Sequence, residues 1–433
     1  MDFVCDNITS KNGKLYFAGR DVTELAEKYK TPLYLLDEYK IREKCRIYKT
    51  AFQKHFPEGS FPMYASKACS FKGIYGIITE EGLGIDVVSS GEIYTAVKAG
   101  YNMENAFFQG NNKTDEDVEF AVKSEVGYFV VDNIEELRSI DRIAGERGIC
   151  QKILLRLTPG IDTHTYEADQ TGKIDSKFGV SIETGQAEEL TEYTLTLKNI
   201  RLTGFQCHIG SQVFEEDVFE RSAVIMLEFI ARMKEKTGYA AEYLDLGGGY
   251  GVRYVNSDPY LDIETKIRDV AVSVNATCER LGIDVPKLLM EPGRSIVADA
   301  GMTVYTVGTI KDIPGYKSYV SIDGGMSDNP RFALYGARYT CLAAGKMDEK
   351  CDKEFSVVGR CCESGDIIQE NVMLPHSMRR GDILAVCTTG AYNYSMASNY
   401  NRIPRPPIIM LRKGEDYPAV RRETLDDICM NDL

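Results

Sequence analysis

From residue 61 to residue 294, short apolar runs alternate with longer stretches in which apolar positions recur every three or four residues. The runs Phe61–Ala65, Ile85–Val88, Ala106–Phe108, Tyr128–Val131, Ile153–Leu157, Leu202–Cys207, Tyr243–Leu246 and Lys287–Met290 are too short for helices, and this predicts strands. The segments between them, such as Ile134–Arg147 and Phe219–Lys236, carry helical periodicity. Strands alternating with helices imply parallel pairing through right-handed crossovers. Eight such units predict a (β/α)8 barrel. The one long connection runs from Leu157 to about Gly185, and long barrel loops are often functional.

Beyond residue 296 the helical period fades. MTVYTVG, SYVSID, EFSVVG, DILAVC and PPIIML are short, rich in β-formers and separated by Gly, Pro and Asp. They predict a second, largely β domain at the C-terminus. The strand-like KLYFA (Lys14–Ala18) is expected to complete it. The expected division is a barrel over 32–296 and a β domain from 1–31 and 297–433.

Composition narrows the function. A net charge of -14 without a basic tract argues against nucleic acid, because phosphate contacts need clustered Lys and Arg. No basic segment followed by an apolar one opens the chain, and no run approaches the roughly 18 apolar residues of a membrane span, so a cytoplasmic protein is expected. Twelve cysteines with no CxxC pair point to reduced thiols, and four histidines without HExxH point away from a metal site.

The candidate chemistry follows the predicted strands. Lys67 in YASKA follows the first, Asp86 closes the second, and GNNKT (Gly110–Thr114) follows the third. RLTPG (Arg156–Gly160) follows the fifth, HIGSQ (His208–Gln212) the sixth, GGGYG (Gly247–Gly251) the seventh, and EPGR (Glu291–Arg294) the eighth. In a barrel all of these converge on the C-terminal rim, where such enzymes place their chemistry. A single lysine is usually solvated; at this mouth Lys67 reads as the amine that holds pyridoxal phosphate as a Schiff base. Gly247, Gly248 and Gly249 offer backbone N–H groups without Cβ obstruction, next to the EPGR loop, as a phosphate site requires. Glu291 suits a pyridine nitrogen and His208 a flat contact with a ring, although a lone histidine is more often a satisfied core residue. Arg294 and Arg331 suit a substrate carboxylate, with exposed salt bridges as the ordinary alternative. Cys362, in CCESGD, sits in a polar setting from which a thiol can donate a proton.

With these residues in view, the chain resembles the diaminopimelate decarboxylases, within the alanine-racemase-like (type III) pyridoxal-phosphate decarboxylases. The resemblance runs from PLYLLDE (Pro32–Glu38) to RIPRPP (Arg402–Pro407). It is most specific in YASKA, GIDVVSSGE, GNNKT, TGKIDSKFG (Thr171–Gly179), CHIGSQ, LDLGGGYG, EPGRSIVA, DGGMSDNPRFALYGA, CCESGD and GAYNYSMASNYN. It implies that Lys67 carries pyridoxal 5'-phosphate, His208 stacks on its ring and Glu291 faces the pyridine nitrogen. Ser211, Gly248 and the Gly293–Arg294 backbone would hold the phosphate, helped by Tyr392. Arg294, Arg331 and Tyr335 would grip the distal carboxylate of the amino-acid substrate, and Glu363 its distal ammonium. Cys362, supplied by the second chain of a homodimer, would donate the proton. The implied reaction converts meso-2,6-diaminopimelate to L-lysine and CO2. An ornithine, arginine or carboxynorspermidine decarboxylase, or a non-catalytic homologue that only binds the cofactor, are the alternatives. Cys69, Ser90 and Thr158 depart from the usual family residues without removing a charged or catalytic group.

Overall fold

A computed structural model describes residues 3–161 and 176–433; within the TGKIDSKFG stretch, Thr171–Asp175 lie outside the described residues. Contacts divide the chain into two units, 44–251 with 261–293, and 1–43 with 252–260 and 294–433.

The first unit is a closed parallel barrel. Its strands, in chain order, are Phe61–Ala65, Gly84–Val87, Ala106–Phe108, Tyr128–Val131, Gln151–Thr158, Ile200–Gln206, Tyr243–Asp245 and Lys287–Met290, each paired with the next. The eighth returns to the first through Leu289 opposite Phe61. These strands read as continuous apolar runs because both faces are covered, as in Gly84–Val87, where every residue is buried. Met63, Phe107, Val130, Leu154, Tyr243 and Leu289 point into one buried cluster contributed by six of the strands, so the barrel axis is packed with side chains. The crossover helices start where caps dictate. Asn133 accepts from the Glu136 N–H at 3.0 Å to open Ile134–Glu146, and Thr114 and Asp117 form a capping box before Asp115–Lys123. The expected Phe219–Lys236 helix spans Val218–Thr237.

The second unit carries a sheet in the order Ile367–Pro375, Cys351–Val358, Lys317–Ile322, Gly301–Ile313, Leu33–Asp37, Ile408–Arg412, Glu415–Val420. Ile383–Cys387 also pairs with the long strand Gly301–Ile313. The expected boundary at residue 32 is corrected here. Leu35 lies opposite both Met302 and Ile409, so the apolar run Leu33–Asp37 is a strand of this sheet. Residues 252–260 also group with this unit although they lie in the sequence between barrel strands. Lys14–Phe17 forms an antiparallel meander with Ile8–Lys11, and Leu15 and Phe17 pack with Val304 and Ala385 in one core. The N-terminal segment thereby completes the β domain.

Candidate active site

The barrel gathers the motifs at one rim because every strand is parallel and every motif follows a strand end. Backbone bonds extend the sheet into these loops. Ala65 N–H donates to Pro292 O at 3.1 Å, Glu291 N–H to Gly247 O at 2.9 Å, and Cys207 N–H to Asp245 O at 2.9 Å. These bonds tie the loops after the first, sixth, seventh and eighth strands into a continuous frame. Lys67 sits in a single 3-10 turn, Ser66–Ala68, and its side chain is exposed at the rim. GNNKT behaves differently. Lys113 turns inward, pairs with Glu136 at 2.8 Å and donates to Gly110 O and Val130 O, each at 2.8 Å. It is a structural cation that ties the third strand's loop to the fourth strand and to the helix after it, Ile134–Glu146.

The glycines pass the test of close approach. A Cβ at Gly248 would lie 2.2 Å from Glu291 O, and one at Gly249, where φ is +125°, 2.2 Å from Gly210 O. A side chain at either place would push the loops apart and cover the backbone N–H groups. The cradle is therefore backbone without side chains, in which the Gly247 N–H donates to Asp245 Oδ1 at 2.9 Å and the Gly248 N–H to His208 Nδ1, and Ser211 follows in the neighbouring loop. The residues present fit pyridoxal phosphate: an exposed amine, a bare cradle and a buried carboxylate share one barrel mouth.

Glu291 is buried and held by two amides. Gln109 donates to Oε1, and Gln206 donates to both carboxylate oxygens at 3.3 Å. Burial, reinforced by the nearby Asp245, pushes the Glu291 carboxyl well above its ordinary range, while Lys67 opposes the shift. Asp86 is pushed up to about 8, by burial first and then by Glu291, and Asp245 up to about 7, chiefly by burial. The mouth thus holds two carboxyls, Asp86 and Asp245, that titrate near neutral pH, beside a third, Glu291, held well above its ordinary range.

His208 accepts at Nδ1 from the Gly248 N–H at 3.2 Å, which leaves the proton of a neutral ring on Nε2. Desolvation, and then the charge of Lys67, hold its pKa well below the usual histidine value. The ring is a flat, uncharged surface near neutral pH. Cys69, the departure beside the lysine motif, is buried, and burial pushes its thiol up to about 12, so it stays protonated.

Arg294, Arg331, Tyr335, Tyr392, Cys362 and Glu363 belong to the β unit. Arg331 is only 2% exposed, and it is the one buried residue of a short helix, Arg331–Tyr335. Its Nη1 donates to Tyr339 Oη at 3.0 Å, and its guanidinium lies 4.7 Å from the Tyr254 ring centroid. Arg294 Nη1 donates to Tyr254 Oη at 2.9 Å and lies 4.8 Å from the Tyr392 ring centroid. Tyr392 is held with φ of +60°, a left-handed conformation that non-glycine residues rarely adopt outside special sites. Tyr335 is half-buried; the tyrosine bonded to Arg331 is Tyr339, four residues past the end of the helix.

Cys362 and Glu363 are exposed on a turn. Asp366 shapes that turn by accepting from Cys361 N–H at 2.7 Å and Met326 N–H at 2.6 Å. Cys362 N–H donates to Asn401 Oδ1 at 2.7 Å, which fixes the backbone and leaves the thiol outward.

Sequence reasoning missed Gln109, Gln206, Asp245, Tyr254 and Tyr339. Gln109 and Gln206 stand at strand ends and were open to discovery by position. Tyr254 and Tyr339 had no motif beyond their closeness to GGGYG and to Arg331.

Residues 38–298 match the family described as the pyridoxal-dependent decarboxylases, pyridoxal binding domain. The chain is 43% identical to a diaminopimelate decarboxylase of Bacillus subtilis (strain 168), over 98% of this chain and 96% of that one. It is 42% identical to one from Staphylococcus aureus (strain COL), over 98% of each. The structure of a diaminopimelate decarboxylase from M. jannaschii in co-complex with L-lysine is similar with a TM-score of 0.91 at 32% identity, covering 100% of this chain and 99% of that one. Among the described residues, no helix is long and apolar enough to cross a membrane.

Proposed function

The chain belongs to the pyridoxal-dependent decarboxylases, and from that premise we propose that it removes a carboxyl group from meso-2,6-diaminopimelate to give L-lysine and CO2. It is a carboxy-lyase of the diaminopimelate decarboxylase type. The observation that carries the choice of substrate is the buried pair Arg294 and Arg331, each held by a tyrosine hydroxyl. A second carboxylate on the substrate offers two oxygens that match the fork of a guanidinium held in a fixed plane. Decarboxylases of simple diamine precursors have no second carboxylate to bind.

When bound, pyridoxal 5'-phosphate supplies an electron-accepting ring for the pair released from the Cα–carboxylate bond. Lys67 would hold the cofactor through Nζ. Glu291, its carboxyl oriented by Gln109 and Gln206, would accept from a protonated pyridine nitrogen. His208, neutral and fixed by the Gly248 N–H, would offer its flat ring to the cofactor. Ser211, Gly247, Gly248, Gly249, Gly293 and the Arg294 backbone bind the phosphate together with Tyr392. Arg294 and Arg331, with Tyr335 nearby in sequence, hold the distal carboxylate, and Glu363 holds the distal ammonium. Cys362 delivers a proton from Sγ to the substrate carbon.

Cys362 and Glu363 serve the site of a second chain, so the working form is a cytoplasmic homodimer with an interface of roughly 2,000 Å2 or more. The exposure of both residues in the single chain supports this arrangement. The test is to supply meso-diaminopimelate, ornithine and carboxynorspermidine separately to purified protein with added cofactor and to measure CO2. Release from diaminopimelate alone is expected; a preference for ornithine overturns the substrate.

A further inference from the structure

Tyr254 touches both arginines. Its hydroxyl accepts from Arg294 Nη1 at 2.9 Å, and its ring lies under the guanidinium of Arg331, 4.7 Å from centroid to Cζ. It is itself fixed. The Tyr254 N–H donates to Asp258 Oδ2 at 2.9 Å, and its carbonyl accepts from Thr340 Oγ1 at 2.9 Å. Its ring meets Tyr339 edge-on, with centroids 5.5 Å apart and planes at 84°, and Tyr339 Oη receives Arg331 Nη1. Tyr254 is 4% exposed, Arg294 5% and Arg331 2%, so the whole group is removed from solvent.

Two guanidiniums are permanently charged and repel when desolvated together. A π face beneath one and a hydroxyl oxygen against the other offset that repulsion and fix the plane of each fork. The fixed plane matters because bidentate capture of a carboxylate requires two N–H groups at a set angle. We infer that Tyr254 is a positioning residue that aligns Arg294 and Arg331 as a single carboxylate-recognising unit and thereby sets the enzyme's preference for substrates with a second carboxylate. The inference rests on the assignment of the two arginines to that carboxylate.

The experiment compares the holoenzyme with Tyr254→Phe, Tyr254→Leu, Arg294→Ala and Arg331→Ala. Binding of L-lysine and of cadaverine, the same skeleton without its carboxylate, is measured by calorimetry. Tyr254→Phe keeps the ring and removes the oxygen that meets Arg294; it is expected to weaken L-lysine about tenfold and to leave cadaverine unchanged. Tyr254→Leu removes both contacts and is expected to reduce the preference further, with KM for diaminopimelate rising more than kcat falls and the cofactor's visible absorbance unaltered. Should the leucine variant not fold, the phenylalanine variant decides. Equal loss for both ligands, or an unaltered preference while either arginine variant abolishes it, overturns the positioning role. An unaltered preference in both arginine variants overturns instead the assignment on which the inference rests.

Discussion

Gln109, one residue past the third barrel strand, donates its side-chain amide to Glu291, one residue past the eighth. The two strands are not neighbours, so this bond crosses the barrel mouth, and Gln206 joins it from the sixth. A buried carboxyl raised in proton affinity by its surroundings is useful only if its oxygens are aimed, and these amides aim them. Gln109→Ala removes one of the two amides that donate to this buried carboxyl, at a cost of about 1–3 kcal/mol. The expected outcome is a kcat lowered roughly tenfold or more, with a shifted cofactor absorbance, read by steady-state kinetics and a visible spectrum.

Lys67→Ala removes the amine at the rim. Turnover is expected to fall by at least ~1,000-fold, the visible absorbance of the bound cofactor to disappear, and borohydride to trap no label. In the unaltered protein, peptide mapping after borohydride places the label at residue 67. A label elsewhere excludes Lys67 as the anchor.

Cys362→Ala takes away a thiol that the turn holds outward. A fall in kcat of about 100-fold with full cofactor occupancy is expected. Lowered occupancy with an intact kcat, measured by the ratio of cofactor to protein absorbance, would show a structural thiol instead.

Arg331→Lys keeps a charge but loses the planar fork and its stacking on Tyr254. KM for diaminopimelate is expected to rise by about tenfold to 100-fold, because a point charge cannot replace a bidentate contact. An unchanged KM would remove Arg331 from substrate binding.

Asp86 carries a testable pH signature. Its folded-state pKa is raised to about 8, so the folded state binds this proton more tightly than the unfolded chain. Stability from this group is complete below the unfolded carboxyl range near pH 4 and is lost as pH rises towards about 8. Urea midpoints of the cofactor-free protein are expected to decline over that interval, and Asp86→Asn, which holds no proton to lose, is expected to flatten the decline. Parallel profiles for the two proteins would rule out Asp86 as the source.

The barrel was legible because its signals are local. Phe61–Ala65, Ala106–Phe108, Tyr128–Val131 and Lys287–Met290 occur with the bounds their apolar runs predict, and the rest shift by a residue or two. The β unit was less so. Ile367–Pro375 mixes buried and exposed positions irregularly, having bulged pairings with Cys351–Val358, and gave no clean alternation. Leu33–Asp37 fell on the barrel side of the expected boundary at residue 32 because an apolar run states that it is buried but not in which sheet.

What the chain's own order of residues determined was the strand count, the parallel closure and the end of the barrel at which chemistry collects, since periodicity and strand–helix alternation act over a few residues. Only the tertiary structure decided which polar groups meet. Gln109 and Glu291 are 182 residues apart, and Arg331 meets Tyr254 as well as the nearby Tyr339. Such contacts depend on the angle at which distant loops leave their strands, and no local pattern of apolar and polar residues encodes that angle.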